Sequence, residues 1–488
     1  MNKRRELVFP IVVFLVYTII FSMAGIVRID TYVVAGYDLG IFDQVVRAYA
    51  RFQAPLVTLK GDDYNIWGDH FHPIVALWAP LYWIWDNIRV LAIGHALVVA
   101  SAVFPVWSFV RRHFTSQRLA KVFAAVALIG WPIQGLIGFD AHEIAFAVPL
   151  IAWIIDALDR RDDRALLVCS ALLLLVREDM GILVAVIGLI RLMRPGKPRG
   201  WWKGLGLIAA GLGAFAVVTA VIIPSFANEG YQYWDYGQVM SRPWEALWLW
   251  AYPWTKMWTW LALLVPVGFL ALLSPYLLIA VPVMAERMLA SRELLWGVQY
   301  HYNSPVWIVV CLASVDGARR LSAWLVARKG SRKARPHRWL TIIITSTTAV
   351  CMVLGMVGVP WFWQMYPLQR VLTGAAFQWT IGAPDRREVV EWLPADTCVA
   401  ADDRVAGQLT HTNRVTVPGV SQVKQDFYVL DFYQPYPATT PAMWTTGLAY
   451  ETAIEMGFHI VKRSGTILVL QSPDYTGPDP VRCGPGAR

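Results

Sequence analysis

From Leu7 to Val27 the chain is almost unbroken apolar, and runs of the same kind recur to about residue 359 between short polar interruptions. A helix rises 1.5 Å per residue, so about 17–25 apolar residues suit one crossing of a bilayer, and a helix satisfies its own backbone in lipid. The runs predict crossings near 7–27, 88–110, 121–138, 144–158, 165–176, 180–192, 203–224, 258–273, 275–289, 305–325 and 339–359. That is about eleven. Two pairs are short: each arm of 165–176 and 180–192 reaches only about 18 Å or slightly more, which suggests a hairpin ending inside the bilayer, and 258–273 with 275–289 has the same character. The first run follows Lys3, Arg4 and Arg5 like a secretory signal, but it is long and lacks a clean small-residue cleavage site, so it reads as a retained helix.

Two other patterns stand out. In "GYDLGIFDQVVRAYARFQ" (36–53), Leu39, Phe42, Val46 and Tyr49 recur at helical spacing, which predicts an amphipathic helix lying along the membrane. Asp38 stands at its N-cap position, and Asp43 stands four residues before Arg47, the spacing of a helical ion pair. From about Pro360 charges return. "DRREVVEWLP" and "GLAYETAIEMGF" read as helices, "QDFYVLDFY" as a strand, and "HIVKRSGTILVLQS" as a hairpin turning at Ser464-Gly465.

Composition agrees with a mainly α, polytopic membrane protein: 57% of residues are hydrophobic, only 16% charged, and 25 are Trp. The net charge of +9 does not mark a nucleic-acid binder, because about 23 of the 43 Lys and Arg fall in segments that alternate with the crossings. These are Lys3 to Arg5; Arg111, Arg112, Arg118 and Lys121; Arg160, Arg161 and Arg164; Arg191 to Lys203; and Arg319 to Arg338. Basic loops stay on the cytoplasmic side, so the amino terminus lies inside and, after eleven crossings, the carboxyl terminus outside a plasma membrane. The expected organisation is a transmembrane domain over 1–359, with a first outer loop at 28–87, and a small α/β extracytoplasmic domain over 360–488. Cys169, Cys311 and Cys351 fall in crossings and read as packing residues; Cys398 and Cys483 lie outside, where a disulfide is open to them.

With this threading the acidic and histidine residues gather on the outer side, together with Asp235 and Arg242. Charge beside hydrocarbon is costly unless paired or hydrated, so the gathering marks a candidate site. "WGDHFHPIVALWAP" offers Asp69, His70 and His72; Pro73 favours an extended backbone before it, which would turn both imidazoles the same way, as in a divalent-cation site with Asp69. A hydrogen-bonded loop is the plainer alternative. "GFDAHEIAFAVP" has a capping-box spacing between Asp140 and Glu143 that leaves His142 unexplained. "LLLLVREDMGILV" places Arg177, Glu178 and Asp179 at the tip of a short apolar hairpin, where each needs a partner; a guanidinium there suits a phosphate. "VQYHYNSPVW" adds His301 and Tyr302.

Taken together, "YDLGIFDQ", "GDHFHPIVALWAPLYWIW", "FDAHEIAFAVPL", "LLLLVREDMGILVAVIGL", "LLSPYLLIAVPVM" and "QYHYNSPVW" resemble a domain-of-unknown-function family of prokaryotic polytopic membrane proteins, over most of the chain. That family is distantly similar to the C-type glycosyltransferases, which use polyprenyl-phosphate sugars. The resemblance implies a C-type glycosyltransferase fold and an acidic residue soon after the first crossing acting as base or metal ligand, a position held here by Asp38. It implies a polyprenyl-phosphate-linked sugar as donor, an envelope glycan, lipid or protein as acceptor, surrounding membrane lipids as partners, and a mechanism with or without a divalent cation, Mg or Mn, as cofactor. Substrate contacts would then fall to Arg177, Glu178, Asp179, Asp140, His142, Glu143, His301 and Tyr302. The rival readings are a lipid or solute transporter or flippase, with the short hairpins as its discontinuous helices, and a non-catalytic envelope scaffold.

Overall fold

The computed structural model describes residues 3–114, 116–193, 200–227, 231, 233, 243–329, 367–433 and 443–484. The expected crossing at 339–359, Cys351, Asp235 and Arg242 lie outside these residues. The chain is mainly helical and ends in a small mixed sheet. Among the described residues, Glu6–Asp30, Arg89–His113 and Trp202–Phe226 are long and apolar enough to cross a bilayer, and Gln117–Ala127 with Trp131–Ile137, bent by 42°, offers one more. Shorter helices occupy most of the remaining expected crossings, among them Ala147–Arg160, Asp163–Leu173, Met180–Leu192 and Val281–Leu289.

The arginines of the basic clusters also form buried pairs. Asp156 takes Arg112 at 2.7 Å and Arg160 at 2.8 Å, Asp163 takes Arg191 at 2.9 Å and Lys203 at 3.0 Å, and Asp316 takes Arg319 and Arg320 at 2.6 Å each. Asp156 and Asp163 thus tie neighbouring segments together at the basic end of the helices, a pairing that charge counting along the sequence does not reveal, while Asp316 is paired within its own helix.

The carboxyl-terminal unit has five strands: β1 (Cys398–Ala401), β2 (Arg414–Thr416), β3 (Phe427–Asp431), β4 (His459–Ser464) and β5 (Ile467–Gln471), in the order β2-β1-β3-β5-β4. β1 is parallel to β2 and β3, and the hairpin β4–β5 joins antiparallel to β3. Alternation along the strands gives two apolar faces. Val399, Phe427, Val429, Ile467 and Val469 join the main core that continues into the membrane helices, while Ala400, Tyr428, Leu430 and Leu470 pack under Thr446–Glu455. The helices and hairpin expected in this region are all present, and Cys398 and Cys483 form a disulfide.

This unit seats directly on the segment between the helices Glu6–Asp30 and Arg89–His113. The amphipathic helix Ile41–Ala50 forms as its periodicity predicts, but its polar side is buried, not solvated. Asp43, 0% exposed, forms the expected ion pair with Arg47 and also accepts from the Tyr82 hydroxyl at 2.6 Å and the Thr410 hydroxyl at 2.8 Å. Arg47 in turn donates to the Thr410 carbonyl at 2.7 Å and meets His411 Nδ1 at 2.8 Å. Gly36 lies 2.9 Å, measured from the Cβ it lacks, from the Ala406 methyl, so a side chain there would push the helix Asp403–Leu409 away. Farther along, Asp62 receives Arg414 at 3.3 Å and the Gln422 amide at 2.7 Å.

Removing one member of a buried ion pair leaves the other charged and unpaired, a loss of about 3–5 kcal/mol. Arg47→Met is therefore expected to destabilise the protein by about that much in denaturant titrations in detergent, and the double change Asp43→Leu with Arg47→Met to recover at least half of the loss. A single variant as stable as the wild type would show that the pair does not hold the two parts together.

Candidate active site

Asp38 lies in a wide helical turn, Gly36–Gly40, that leads into Ile41–Ala50. It is not the N-cap: the extended residue before the turn is Ala35, and no side chain caps the helix. The turn is held from outside, by the Tyr37 amide donating to Asp403 at 2.9 Å and the Ala35 amide donating to Asp140 at 3.1 Å. Asp38 itself has no hydrogen-bond or ion-pair partner among the described residues. Burial, then the nearby carboxylates of Asp140 and Asp403, push its acidity up to about 7, against the opposing charges of His142 and Arg28.

Asp140 and Glu143 do not form the capping box that their spacing suggests. Asp140 takes Arg28 at the outer end of the first helix, 3.0 Å away, because a guanidinium is a stronger partner than a helix amide. Glu143 is buried between His142, with Nδ1 at 2.7 Å, and Arg177, 3.6 Å away. The His142 ring stacks on His301 at 4.1 Å between centroids, and Phe139 and Tyr302 flank His301. His301 is buried with neither ring nitrogen hydrogen-bonded, and burial, reinforced by the His142 charge, holds it neutral. The Tyr302 hydroxyl lies in the field of Arg177, Asp38 and Glu143; burial raises its pKa to about 12. These residues therefore share one environment.

The hairpin tip is likewise fully engaged. Arg177 grips Asp179 with two hydrogen bonds, 2.7 and 2.8 Å. Glu178 receives His70 Nδ1 at 2.7 Å, the Phe71 amide at 3.2 Å and the Tyr231 hydroxyl at 3.2 Å. Although burial disfavours its charge, the Glu178 carboxylate, with Asp69 behind it, lifts the His70 pKa to about 9. Tyr233 stacks on the His70 ring at 4.1 Å.

The divalent-cation arrangement expected of Asp69, His70 and His72 is not what these residues form. Asp69 pairs with Lys60 and accepts from the Tyr233 hydroxyl, His70 turns to Glu178, and His72 is buried against the Phe42 ring at 5.4 Å, where burial keeps it neutral. Among the described residues, the only His, Cys, Asp or Glu group whose ligand atoms all lie within 4.8 Å of one another is Cys398, Asp426 and Cys483, and two of these are joined in the disulfide. Asp69 thus serves the Lys60 ammonium.

Five contributors were not singled out from the sequence. Arg28 holds Asp140, Lys60 holds Asp69, and Asp403 reaches the Asp38 turn from the carboxyl-terminal unit. Arg287 donates to the carbonyls of Leu295 at 2.6 Å and Tyr302 at 3.1 Å, fixing the segment that presents His301 and Tyr302. Glu286 lies in the field of Asp179, Arg177, Glu178 and His70. The signal available for the last two was "AERML", a charged pair inside an otherwise apolar run.

Comparison with known proteins places this arrangement in a wider group. Residues 28–434 match a family described as "Predicted membrane protein (DUF2079)". No curated protein matches the chain. Among solved structures, ArnT from Cupriavidus metallidurans bound to undecaprenyl phosphate is similar with a TM-score of 0.52 and 13% identity, covering 96% of this chain and 99% of that one. The apo form of the same protein gives a TM-score of 0.52 and 14% identity over 94% and 97%. At such identity the likeness is one of fold, and it bears out the resemblance to C-type glycosyltransferases carried by the sequence motifs.

The His70–Glu178 contact makes a direct prediction. His70 binds its proton more tightly folded than unfolded, so the contact stabilises the protein below about pH 6.5 and this contribution is lost as pH rises through about 9. In Glu178→Gln the burial effect is left unopposed by that carboxylate, and the His70 imidazole is expected to titrate at least two units lower by nitrogen-15 NMR. A midpoint still near 9 would show that Glu178 is not its partner in solution.

Proposed function

This chain belongs to the family of predicted membrane proteins described as DUF2079, and from that membership, its ArnT-like fold and the site above we propose that it is an inverting glycosyltransferase. It would transfer a sugar from a polyprenyl-phosphate donor to a cell-envelope acceptor on the outer face of the plasma membrane. In this reading the chain crosses about eleven times, the shorter helices filling the interior. Residues 1–359 carry the site, and 360–488 fold outside. The observation that carries the proposal is Asp38: a carboxylate with no direct partner, at the edge of a cluster of paired charges, whose acidity near 7 suits proton transfer at neutral pH.

The chemistry follows from what each group has left to offer. Asp38 takes the proton from an acceptor hydroxyl as its oxygen bonds to the anomeric carbon, and the bond from that carbon to the phosphate oxygen breaks on the opposite face. The departing polyprenyl phosphate carries the developing negative charge. Arg177, with His70 protonated through Glu178, supplies fixed positive charge toward it. Asp179 and Glu143 hold the guanidinium in place, while Asp140 orients the Asp38 turn. His142, His301 and Tyr302 offer aromatic and polar surface to the sugar. The acceptor approaches past Asp403 and the carboxyl-terminal unit.

The transporter reading gains no support from the opposite side. A pathway needs polar groups available in both leaflets, and Asp156, Asp163 and Asp316 at the basic end are each paired with two cations.

Membranes carrying Asp38→Asn are expected to transfer radiolabelled sugar from polyprenyl-phosphate donors at least about 100-fold more slowly than wild type, the usual contribution of a positioned base. The same variant should unfold at a higher temperature at pH 8. The sign follows from a native acidity above the unfolded value: ionising Asp38 costs stability, the cost grows as pH rises from about 4 to 7, and the neutral amide removes it. Equal transfer by both proteins would eliminate Asp38 as the base.

A further inference from the structure

A second feature lies on the flank of the first helix, adjoining the paired cluster through Arg28. Between the carboxyl-terminal end of that helix, Gly138 and the helix Pro367–Leu372 is a narrow cleft, open on one side. Ala24, Val27, Val33 and Val371 line it, and Arg28 and Arg370 bring two positive charges to it. Arg28 is partly committed, one of its nitrogens lying 3.0 Å from Asp140. The Arg370 guanidinium, half-buried, has neither a hydrogen-bond nor an ion-pair partner among the described residues, and its strongest electrostatic neighbour is Arg28 itself. Two like charges turned to one largely apolar cavity are unfavourable unless an anion joins them, and guanidinium groups bind phosphate through forked, charge-assisted hydrogen bonds.

The surroundings indicate where that phosphate comes from. Along the first helix Leu15, Ile19 and Met23, one residue in every four, are exposed, and the next member of the series, Val27, forms part of the cavity wall. An apolar stripe left open on a membrane helix is covered by lipid chains. It leads from the depth of the bilayer up to the two arginines.

We propose that Arg28 and Arg370 form an anion site for the phosphate of an acidic lipid headgroup in the outer leaflet, with the lipid's chain lying along Leu15, Ile19 and Met23. The site adjoins the proposed reacting centre through Arg28, which also holds Asp140, and it stands whether or not the chain transfers sugars. A free phosphate shares the headgroup chemistry but has no chain to follow the stripe.

The test is native mass spectrometry of the full-length protein in detergent, titrated with phosphatidylglycerol and, separately, with phosphatidylcholine of the same acyl chains. Wild type is expected to retain phosphatidylglycerol at least about fivefold better, Arg370→Gln to lose that preference, and Arg370→Lys to keep most of it. Ala376→Trp, which fills the cavity and leaves both arginines, should lose it too, and decides the matter if Arg370→Gln does not fold. Retention of the preference by either Arg370→Gln or Ala376→Trp would overturn the proposal. So would displacement of the lipid by millimolar inorganic phosphate, which would assign the site to the free anion.

Discussion

The buried ion pair of Asp43 and Arg47 fixes the geometry of the whole outer side. Neither charge reaches water, so each must be satisfied by protein, and the groups that do this come from two distant parts of the chain: Tyr82 in the first outer loop, and Thr410 and His411 beyond the first strand of the sheet. Meeting that requirement brings the carboxyl-terminal unit down onto the loop. Gly36 permits the close approach of Ala406, and the Tyr37 amide then falls to Asp403. Asp38 is thereby placed between a carboxylate of the membrane domain, Asp140, and one of the outer unit, Asp403.

The charges around it follow one rule: where a group is buried beside the membrane, another has been set against it. Arg28 answers Asp140, Lys60 answers Asp69, His70 answers Glu178, and Arg177 lies between Asp179 and Glu143. These pairs are short-range and mutually supporting, so they fix side chains that would otherwise be mobile, which is what a site needs if it is to stabilise charge that develops during a reaction. Asp38 departs from the rule. Burial and the carboxylates of Asp140 and Asp403 raise the cost of its charge by more than His142 and Arg28 lower it, a local loss of stability that is useful when the group must accept a proton near neutral pH.

Features governed by short-range spacing were legible in the sequence. Apolar run length gave the long helices at 6–30, 89–113 and 202–226, the four-residue step gave the Asp43–Arg47 pair, and Ser464-Gly465 marked the hairpin of the outer sheet. What was not legible depends on who sits opposite. Asp38 and Asp140 both occupy spacings suitable for capping, and neither caps: Arg28 takes Asp140 across more than a hundred residues of chain, and Asp403 of the carboxyl-terminal unit takes the Tyr37 amide beside Asp38 and leaves its carboxylate without a partner. The spacing of Asp69, His70 and His72 suggested a metal site, yet Lys60 takes Asp69 and Glu178 takes His70. Arg287, hidden in an apolar run, revealed its role only when the carbonyls it binds were in place. Gly36 is similar: a lone glycine before a helix carries no sign of the Ala406 methyl that requires it.

The central proposal is that Asp38 is the reacting carboxylate and that docking of the carboxyl-terminal unit adds to its proton affinity through Asp403. It is tested most directly by the pH dependence of sugar transfer from a polyprenyl-phosphate donor, compared between wild type and Asp403→Asn. The groups facing Asp38 are Asp140, His142, Asp403 and Arg28, and of these Asp403 alone is supplied by the outer unit. Transfer by wild type should rise with pH to a plateau with a midpoint near 7, and in Asp403→Asn, where one repelling carboxylate is gone, the midpoint should move to lower pH. An unshifted midpoint, or transfer that does not depend on pH across this range, would contradict the account.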